Sequence, residues 1–379
     1  MIKKVFPILA LAMFASMLGV GLISPLLPLY SESLGATGLW IGIIFAGYSA
    51  SRAIVMPFAG RLSDRFGKKL FLCIGLIGYA IISPGYVLAN SALQLTFVRL
   101  IQGAAGGMII PIAMAYVGDL SPEGEEGKWM GYANAAFFGG FSIGPLMGGL
   151  LNDSWGMDSA FYIMGVLNLL AFIIGVIFLP EIKQEKTVST PHTSIRSMSR
   201  SSIVKGLFSF RLVDALGRGG FSTFLPIFGG TYLGLSPSLI GVILATNVIL
   251  MTALQTYFGR FADRFNRKAL LVIGSLISLV LLALIPFGHN FWQLLLLCGF
   301  MGIGRAISIP AASALTVEEG RKFGMGSTMG AFMMAMSIGM ALGPIACGLI
   351  ADIIDINSVF YFAGGMGLLG TIMFIWFTR

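Results

Sequence analysis

Apolar runs of about 20 residues recur twelve times along this chain, separated by short polar or charged stretches. They predict helices at about 5–29, 39–59, 70–88, 93–117, 129–151 and 159–180, then 204–229, 238–258, 269–287, 292–316, 327–350 and 357–378. Crossing ~30 Å of hydrocarbon takes about 20 helical residues at 1.5 Å each, so each run reads as a membrane span. Unbroken stretches such as Leu270–Phe287 and Ala160–Leu179 lack the alternation of a barrel strand, which excludes a transmembrane β-barrel. The expected fold is an all-α polytopic membrane protein with twelve transmembrane helices in two pseudo-symmetric six-helix bundles. Residues 1–180 form the first bundle, 181–203 a cytoplasmic linker and 204–379 the second. The linker is Ser/Thr-rich and basic, with one histidine, His192; it reads as a solvated connector or as a segment drawn to a membrane surface.

Composition agrees. The 379 residues are 56% hydrophobic and 11% charged, less than half the charge of a soluble domain. The 51 Gly and 15 Pro fit a membrane bundle, where small residues let helices approach and neighbours satisfy freed backbone groups. Lys3-Lys4 followed by an apolar run to Ser24 resembles a signal peptide, but the run is long and eleven more follow, so an uncleaved first helix is expected. Cys73, Cys298 and Cys347 all fall in apolar runs and read as small packing residues, with neither a disulfide framework nor a metal site.

The net charge of +8 invites a nucleic-acid reading, which the placement of the charges excludes. Five of the 24 Lys and Arg lie inside predicted helices, and the other 19 lie on one side if the N-terminus is cytoplasmic. The outer loops hold none, which orients both termini to the cytoplasm.

An internal repeat organises the chain. "GRLSDRFGKK" begins at Gly60 and "GRFADRFNRK" at Gly259, an offset of 259 − 60 = 199. The same offset links Gly103 to Gly302, Pro111 to Pro310, Asp119 to Glu318, Gly144-Pro145 to Gly343-Pro344, Asp153 to Asp352 and Phe161-Tyr162 to Phe360-Tyr361. Six helices per repeat return the chain to the same side, so the repeats are parallel.

In the first loop copy, Gly60 and Gly67 permit a tight turn, and Asp64 is an anion placed to meet a helix N-terminus or a cation. Arg65, Lys68 and Lys69 hold the loop at the inner face. Asp263 is the Asp64 counterpart in the second copy, which departs at Asn266, where Gly67 stands in the first. With "RLIQGAAGG" from Arg99, "GFSIGPLMGG" over Gly140–Gly149, and Asp119-Leu120-Ser121-Pro122, these loops make the chain resemble the major facilitator superfamily over essentially its whole length, and its twelve-helix drug:proton antiporter branch most. The resemblance implies that the Gly60–Leu72 loop locks an outward-facing state and that Arg99 serves proton transfer, unless it is a purely structural hydrogen-bonding residue. It also implies that the Gly140–Gly149 motif marks an exporter. Gly140, Gly144 and Gly148 are spaced for close helix packing, with Pro145 able to bend the helix; Gly343-Pro344 repeats the pair. Asp119 is a candidate partner for the loop's basic residues.

Arg52, Arg99, Arg211, Asp214, Arg218 and Arg305 are charges inside predicted spans, which are expensive and by default functional. The resemblance places the first, fourth, seventh and tenth helices around the central cavity, and five of these six charges lie on three of them. Arg211, Asp214 and Arg218 are spaced i, i+3, i+7 and so share one helix face. Asp214 is the one acidic residue placed within a membrane core. It is expected to stay ionised among its arginines and to take a proton when a conformational change or an anionic substrate draws one away. The alternative is an ion-pair cluster that braces the seventh helix. Five Arg against one Asp favour a neutral or anionic amphipathic substrate. Phe221, Phe224, Tyr257 and Trp292 offer apolar contacts, and Asn134, Asn247 and Gln255 either orient a ligand or bond between helices.

The two histidines lie in the linker (His192) and an outer loop (His289), and there is no GxxxxGK[ST] phosphate loop; enzymatic and ATP-driven chemistry lack residues. The expected protein is a monomeric, multi-pass secondary transporter of the cytoplasmic (inner) membrane. It would need no cofactor beyond H+ as coupling ion, and would have a small-molecule substrate and the lipid bilayer as partners, with no nucleic acid. Export of an amphipathic molecule or drug by alternating access is the first reading. A proton-coupled importer of sugar or organic acid, a lipid flippase and a nontransporting sensor are the rivals.

Overall fold

The computed structural model describes residues 2–122, 125–181, 201–323 and 325–378, without the side chains of residues 126, 127, 262, 263 and 325–327. Most of the linker, with His192, lies outside the described residues, as does the side chain of Asp263. Among the described residues there are thirteen α-helices and no strand. They are α1 (Ile2–Ile23), α2 (Leu27–Ser33), α3 (Gly38–Phe66), α4 (Lys68–Leu88), α5 (Ala92–Leu120), α6 (Glu126–Trp155) and α7 (Met157–Phe178), followed by α8 (Ser202–Ile227), α9 (Pro237–Arg264), α10 (Arg267–Ala283), α11 (Phe291–Phe323), α12 (Met325–Ile353) and α13 (Ile356–Thr378).

Ten of these helices are long and apolar enough to cross a membrane. The two other long helices are α8, which carries Arg211, Asp214 and Arg218 in its middle, and α10, which has 17 residues. Ile54, Ile81 and Phe178 in one part of the chain, and Val280, Ile353 and Trp376 in another, are large apolar side chains left exposed. Such belts suit a protein whose solvent is lipid.

The predicted first helix, 5–29, is broken. α1 ends at Ile23 in turn bonds from Ser24 N–H to Gly21 (3.1 Å) and from Leu26 N–H to Ile23 (3.2 Å). Pro25 lacks a donor and clashes with the preceding turn, and Pro28 stands in the first turn of α2. The ninth predicted helix, 269–287, ends early at Ala283 in a 3₁₀ turn, Ile285–Phe287, around Pro286. Conversely α3, α5, α9 and α11 run past the predicted ends at 59, 117, 258 and 316, to Phe66, Leu120, Arg264 and Phe323. Charged side chains end an apolar run without ending a helix; α3 stops only at Gly67, whose φ of 105° few other residues adopt.

Packing divides the described residues into two units. One takes those within Met1–Ala36, Gly47–Thr187 and Gly234–Ala245; the other takes those within Thr37–Ala46, Val188–Leu233 and Thr246–Arg379. In the first unit a core of Leu9, Met13, Leu72, Leu76, Tyr79, Ile109 and Tyr116 lies between α1, α4 and α5. In the second, Leu207, Phe210, Leu271, Ala311, Phe332 and Phe374 gather the corresponding helices.

Small residues set the helix spacing. A Cβ on Gly140, Gly144 or Gly148 of α6 would overlap the α1 backbone at Phe14, Gly21 or Leu22. Gly339 and Gly343 of α12 meet Leu212 and Leu216 of α8 in the same way, and Pro344 lies against Gly219. In both motifs the glycines stand where helix backbones approach too closely for a Cβ.

Candidate functional site

α8 begins at Ser201, whose hydroxyl accepts the Val204 N–H at 3.3 Å, and runs through a stretch where helical spacing stacks Arg211, Asp214 and Arg218 on one face. Asp214 is the hub. Its Oδ2 accepts a hydrogen bond from Arg218 Nη2 at 2.9 Å and lies 3.6 Å from Arg211 Nη1. Its Oδ1 lies 3.5 Å from Nη2 of Arg305, brought in by α11. One carboxylate thus faces three guanidinium groups, a cluster of net charge +2. The Arg218 side chain is 24% exposed, against 8% and 10% for Arg211 and Arg305. Arg211 is further held by the Phe332 ring, 4.7 Å from its Cζ, and its Nη2 donates to Met336 Sδ at 2.9 Å. Buried charge on this scale is tolerated only when paired and hydrogen-bonded.

Arg99 lies in the first unit and is also buried. Its Nη1 donates to Gln102 Oε1 at 3.0 Å, which also accepts the Tyr86 hydroxyl at 2.5 Å. The guanidinium sits 4.7 Å from the Tyr48 ring centre. Tyr48 and Tyr79 share a hydroxyl hydrogen bond at 3.2 Å, and Tyr86 stacks on Phe161 at 4.9 Å. Arg99 therefore sits among aromatic rings with the neutral Gln102 amide as a hydrogen-bond acceptor, and the two candidate proton-coupling residues belong to different units.

The remaining candidates are scattered. Arg52 is half-buried on α3, Gln255 is half-buried on α9, and Asn134 is exposed on α6. Asn247 is buried and donates its amide to the Cys298 carbonyl at 2.6 Å, so it bonds between α9 and α11. Phe221 and Phe224 are buried in packing; Tyr257 and Trp292 are exposed.

At the end of α3 and the start of α4, the Gly67 turn presents Lys68, which is buried and pairs with Asp119 of α5. Asp64 lies 3.8 Å from the same ammonium. The repeat preserves the pair chemically: Arg267 Nη1 donates to Glu318 Oε2 at 3.2 Å. The turn itself differs. Asn266 adopts an ordinary φ of −63° and caps α10, its Oδ1 accepting from the N–H groups of Lys268 (3.0 Å) and Ala269 (3.2 Å).

Sequence reasoning missed three features. Glu319 is buried and accepts from Lys322 Nζ (2.7 Å) and Ser201 Oγ (2.8 Å); its spacing of three from Lys322 was the available signal. Asp352 accepts the N–H groups of Gly38 (2.6 Å) and Leu39 (2.8 Å) at the start of α3, and Asp153 accepts that of Ser238 (3.2 Å) in α9. These two carboxylates are a repeat pair, which hinted at a shared task. The third is a hydroxyl-lined pocket beside Asp214.

Helices long and apolar enough to cross a membrane, buried charges held in a network and a sequence repeat at an offset of 199 residues point to a membrane transport protein. Residues 9–232 and 207–379 each match the Major Facilitator Superfamily, and the chain belongs to that family. An uncharacterized MFS-type transporter of Methanocaldococcus jannaschii is 30% identical over 367 residues, covering 95% of this chain and 94% of that one. The quinolone resistance protein NorA of Staphylococcus aureus is 28% identical over 379 residues, covering 98% and 95%. A solved bacterial homologue of the human lysosomal transporter Spinster superposes with a TM-score of 0.87 at 14% identity, covering 100% of this chain and 97% of that one. The chain is thus a multi-pass membrane transporter rather than an enzyme.

Proposed function

We propose that this transporter is a proton-coupled efflux antiporter. It exports a small amphipathic molecule, neutral or anionic, by alternating access, from a cytoplasmic membrane in which both termini face the cytoplasm. The observation that carries the reading is Asp214 within 3.6 Å of three arginines, in a cluster of net charge +2. At rest the arginines hold the carboxylate ionised. Arg218 is the most exposed of the three, so it is the one an incoming carboxylate can capture. When it turns to the substrate, Asp214 loses its best hydrogen bond and gains reason to take a proton. In this reading Asp214 takes the proton on the outward side as the substrate leaves and carries it inward on the return, so proton entry is coupled to substrate release.

The relation to a quinolone resistance protein supports drug efflux, and quinolones carry a carboxylate of the kind this cluster suits. The exporter-type motif at Gly140–Gly149 favours export over import. Everted membrane vesicles with an acid lumen test this. A fluorescent fluoroquinolone should accumulate and be released by a protonophore, and Asp214→Asn should bind the drug without accumulating it. Loss of lumenal drug on imposing the gradient would instead mark an importer, and indifference to it would remove proton coupling.

A further inference from the structure

Beside Asp214 the second unit contains a small pocket between α8, α10, α11 and α13. Its polar lining is Asp214, Arg305, Ser275, Ser278, Ser308 and Thr371. The hydroxyls of Ser275, Ser278 and Thr371 donate to carbonyls of their own helices, at Leu271 (2.6 Å), Gly274 (3.1 Å) and Gly367 (3.0 Å). Their lone pairs remain as acceptors, while Arg305 contributes donors. A pocket that offers both, with room for about two waters, is suited to water.

The repeat shows that the fold does not impose this space. At the 199-residue offset, Ser275 corresponds to Leu76, Ser278 to Tyr79, Ser308 to Ile109 and Ala363 to Met164. Those four first-half side chains are all fully buried and fill the equivalent region. Asp214 itself corresponds to Ala15. The half that acquired the carboxylate is the half that replaced bulk with hydroxyls next to it. Of the polar lining residues Asp214 is the most exposed, its side chain at 17% against 10% for Arg305. The charged groups that face Asp214 are Arg211 and Arg218 from its own helix and Arg305 from α11. Around the same pocket α10 and α13 present hydroxyls, and α12 brings Phe332 and Met336 against Arg211.

We propose that this pocket is a water site that solvates Asp214 and hands it the coupling proton. A hydrated proton transfers H+ to a carboxylate oxygen and leaves as water; the carboxylate becomes a carboxylic acid, and nothing else changes. This rests on Asp214 as the proton carrier proposed above.

Hydroxyl-radical footprinting of the purified full chain tests the water site without any substrate. Met301 lines the pocket and is as buried as Met13, which sits in the apolar core of the first unit. Bound water generates radicals locally, so Met301 should oxidise about tenfold faster than Met13. Ala363→Met with Ser308→Ile, copying the first half, should bring Met301 down to the Met13 rate and slow proton release into dye-loaded liposomes during fluoroquinolone transport. Ser308→Ala and Thr371→Val remove acceptors with little change of volume, and should slow proton release with the thermal midpoint unchanged. A dry Met301 in a protein that does move protons overturns the water site. A wet Met301 in a protein that moves none overturns the coupling reading and the proton hand-over with it. Wild-type proton release in the filled variant overturns the hand-over.

Discussion

Truncating the arginines around Asp214 one at a time should give unequal effects, and their order can be worked from the geometry. Each Arg–Asp pair, at about 3–3.6 Å and an effective dielectric of about 20, has a gross attraction near 5 kcal/mol, much of it offset by desolvation. Arg218 makes the best-formed bond, at 2.9 Å, whereas Arg211 stands 3.6 Å away and is held by Phe332 and Met336 as well. In double-substitution cycles with Asp214→Asn, Arg218→Met should show a coupling of about 3 kcal/mol, Arg305→Met somewhat less and Arg211→Met about 1 kcal/mol. Asp214→Asn alone leaves three guanidinium groups without their anion and should destabilise by about 3–5 kcal/mol. Removing Arg211 as well returns the cluster to +2 and should restore part of that loss. Thermal unfolding in detergent, followed through the five tryptophans, reads these at about 2 °C per kcal/mol. Equal couplings for all three arginines, or an Asp214→Asn protein as stable as wild type, would refute the assignment of Asp214 as the cluster's hub.

Three further outcomes are open to simple measurement. Gly67→Ala should lower stability by about 1–2 kcal/mol because of its φ of 105°, whereas Gly60→Ala, inside α3 with open space around its Cβ position, should be neutral or slightly stabilising; thermal midpoints separate them. Asp352→Asn should weaken the start of α3 by about 1 kcal/mol, visible as faster amide exchange at Gly38 and Leu39 with little change elsewhere in that helix. Cys73, Cys298 and Cys347 are all buried, so maleimide should leave the folded protein unlabelled and react after unfolding in dodecyl sulfate.

Much of the architecture was legible because lipid demands long apolar helices, and a repeat cannot keep one offset by accident. The shared face of Arg211, Asp214 and Arg218 followed from helical periodicity alone. That Arg305 would join them did not, since 91 residues separate it from Asp214 and only the expense of a lone buried arginine hinted at a partner. The Lys68–Asp119 pair was anticipated, and its repeat Arg267–Glu318 was implicit in the offset. The break at Ser24–Leu26 was hidden because hydropathy ignores what Pro25 and Pro28 do to a helix. Asn247 looked equally suited to a ligand or a neighbouring helix, and only coordinates reveal the Cys298 carbonyl beside it. The hydroxyl pocket was hardest to foresee. A serine in a membrane helix ordinarily bonds its own i−4 carbonyl, as Ser275 and Ser278 do. The signal lay in the bulk that is absent relative to the first repeat.

The most direct test of the account is simultaneous measurement of proton and drug movement in liposomes reconstituted with the wild-type chain and with Asp214→Asn. The wild type should move protons against a fluoroquinolone in fixed proportion, and the Asp214→Asn protein should bind the drug yet move neither under an imposed pH gradient. Proton flux at the wild-type rate in Asp214→Asn would contradict the claim that this carboxylate carries the coupling proton.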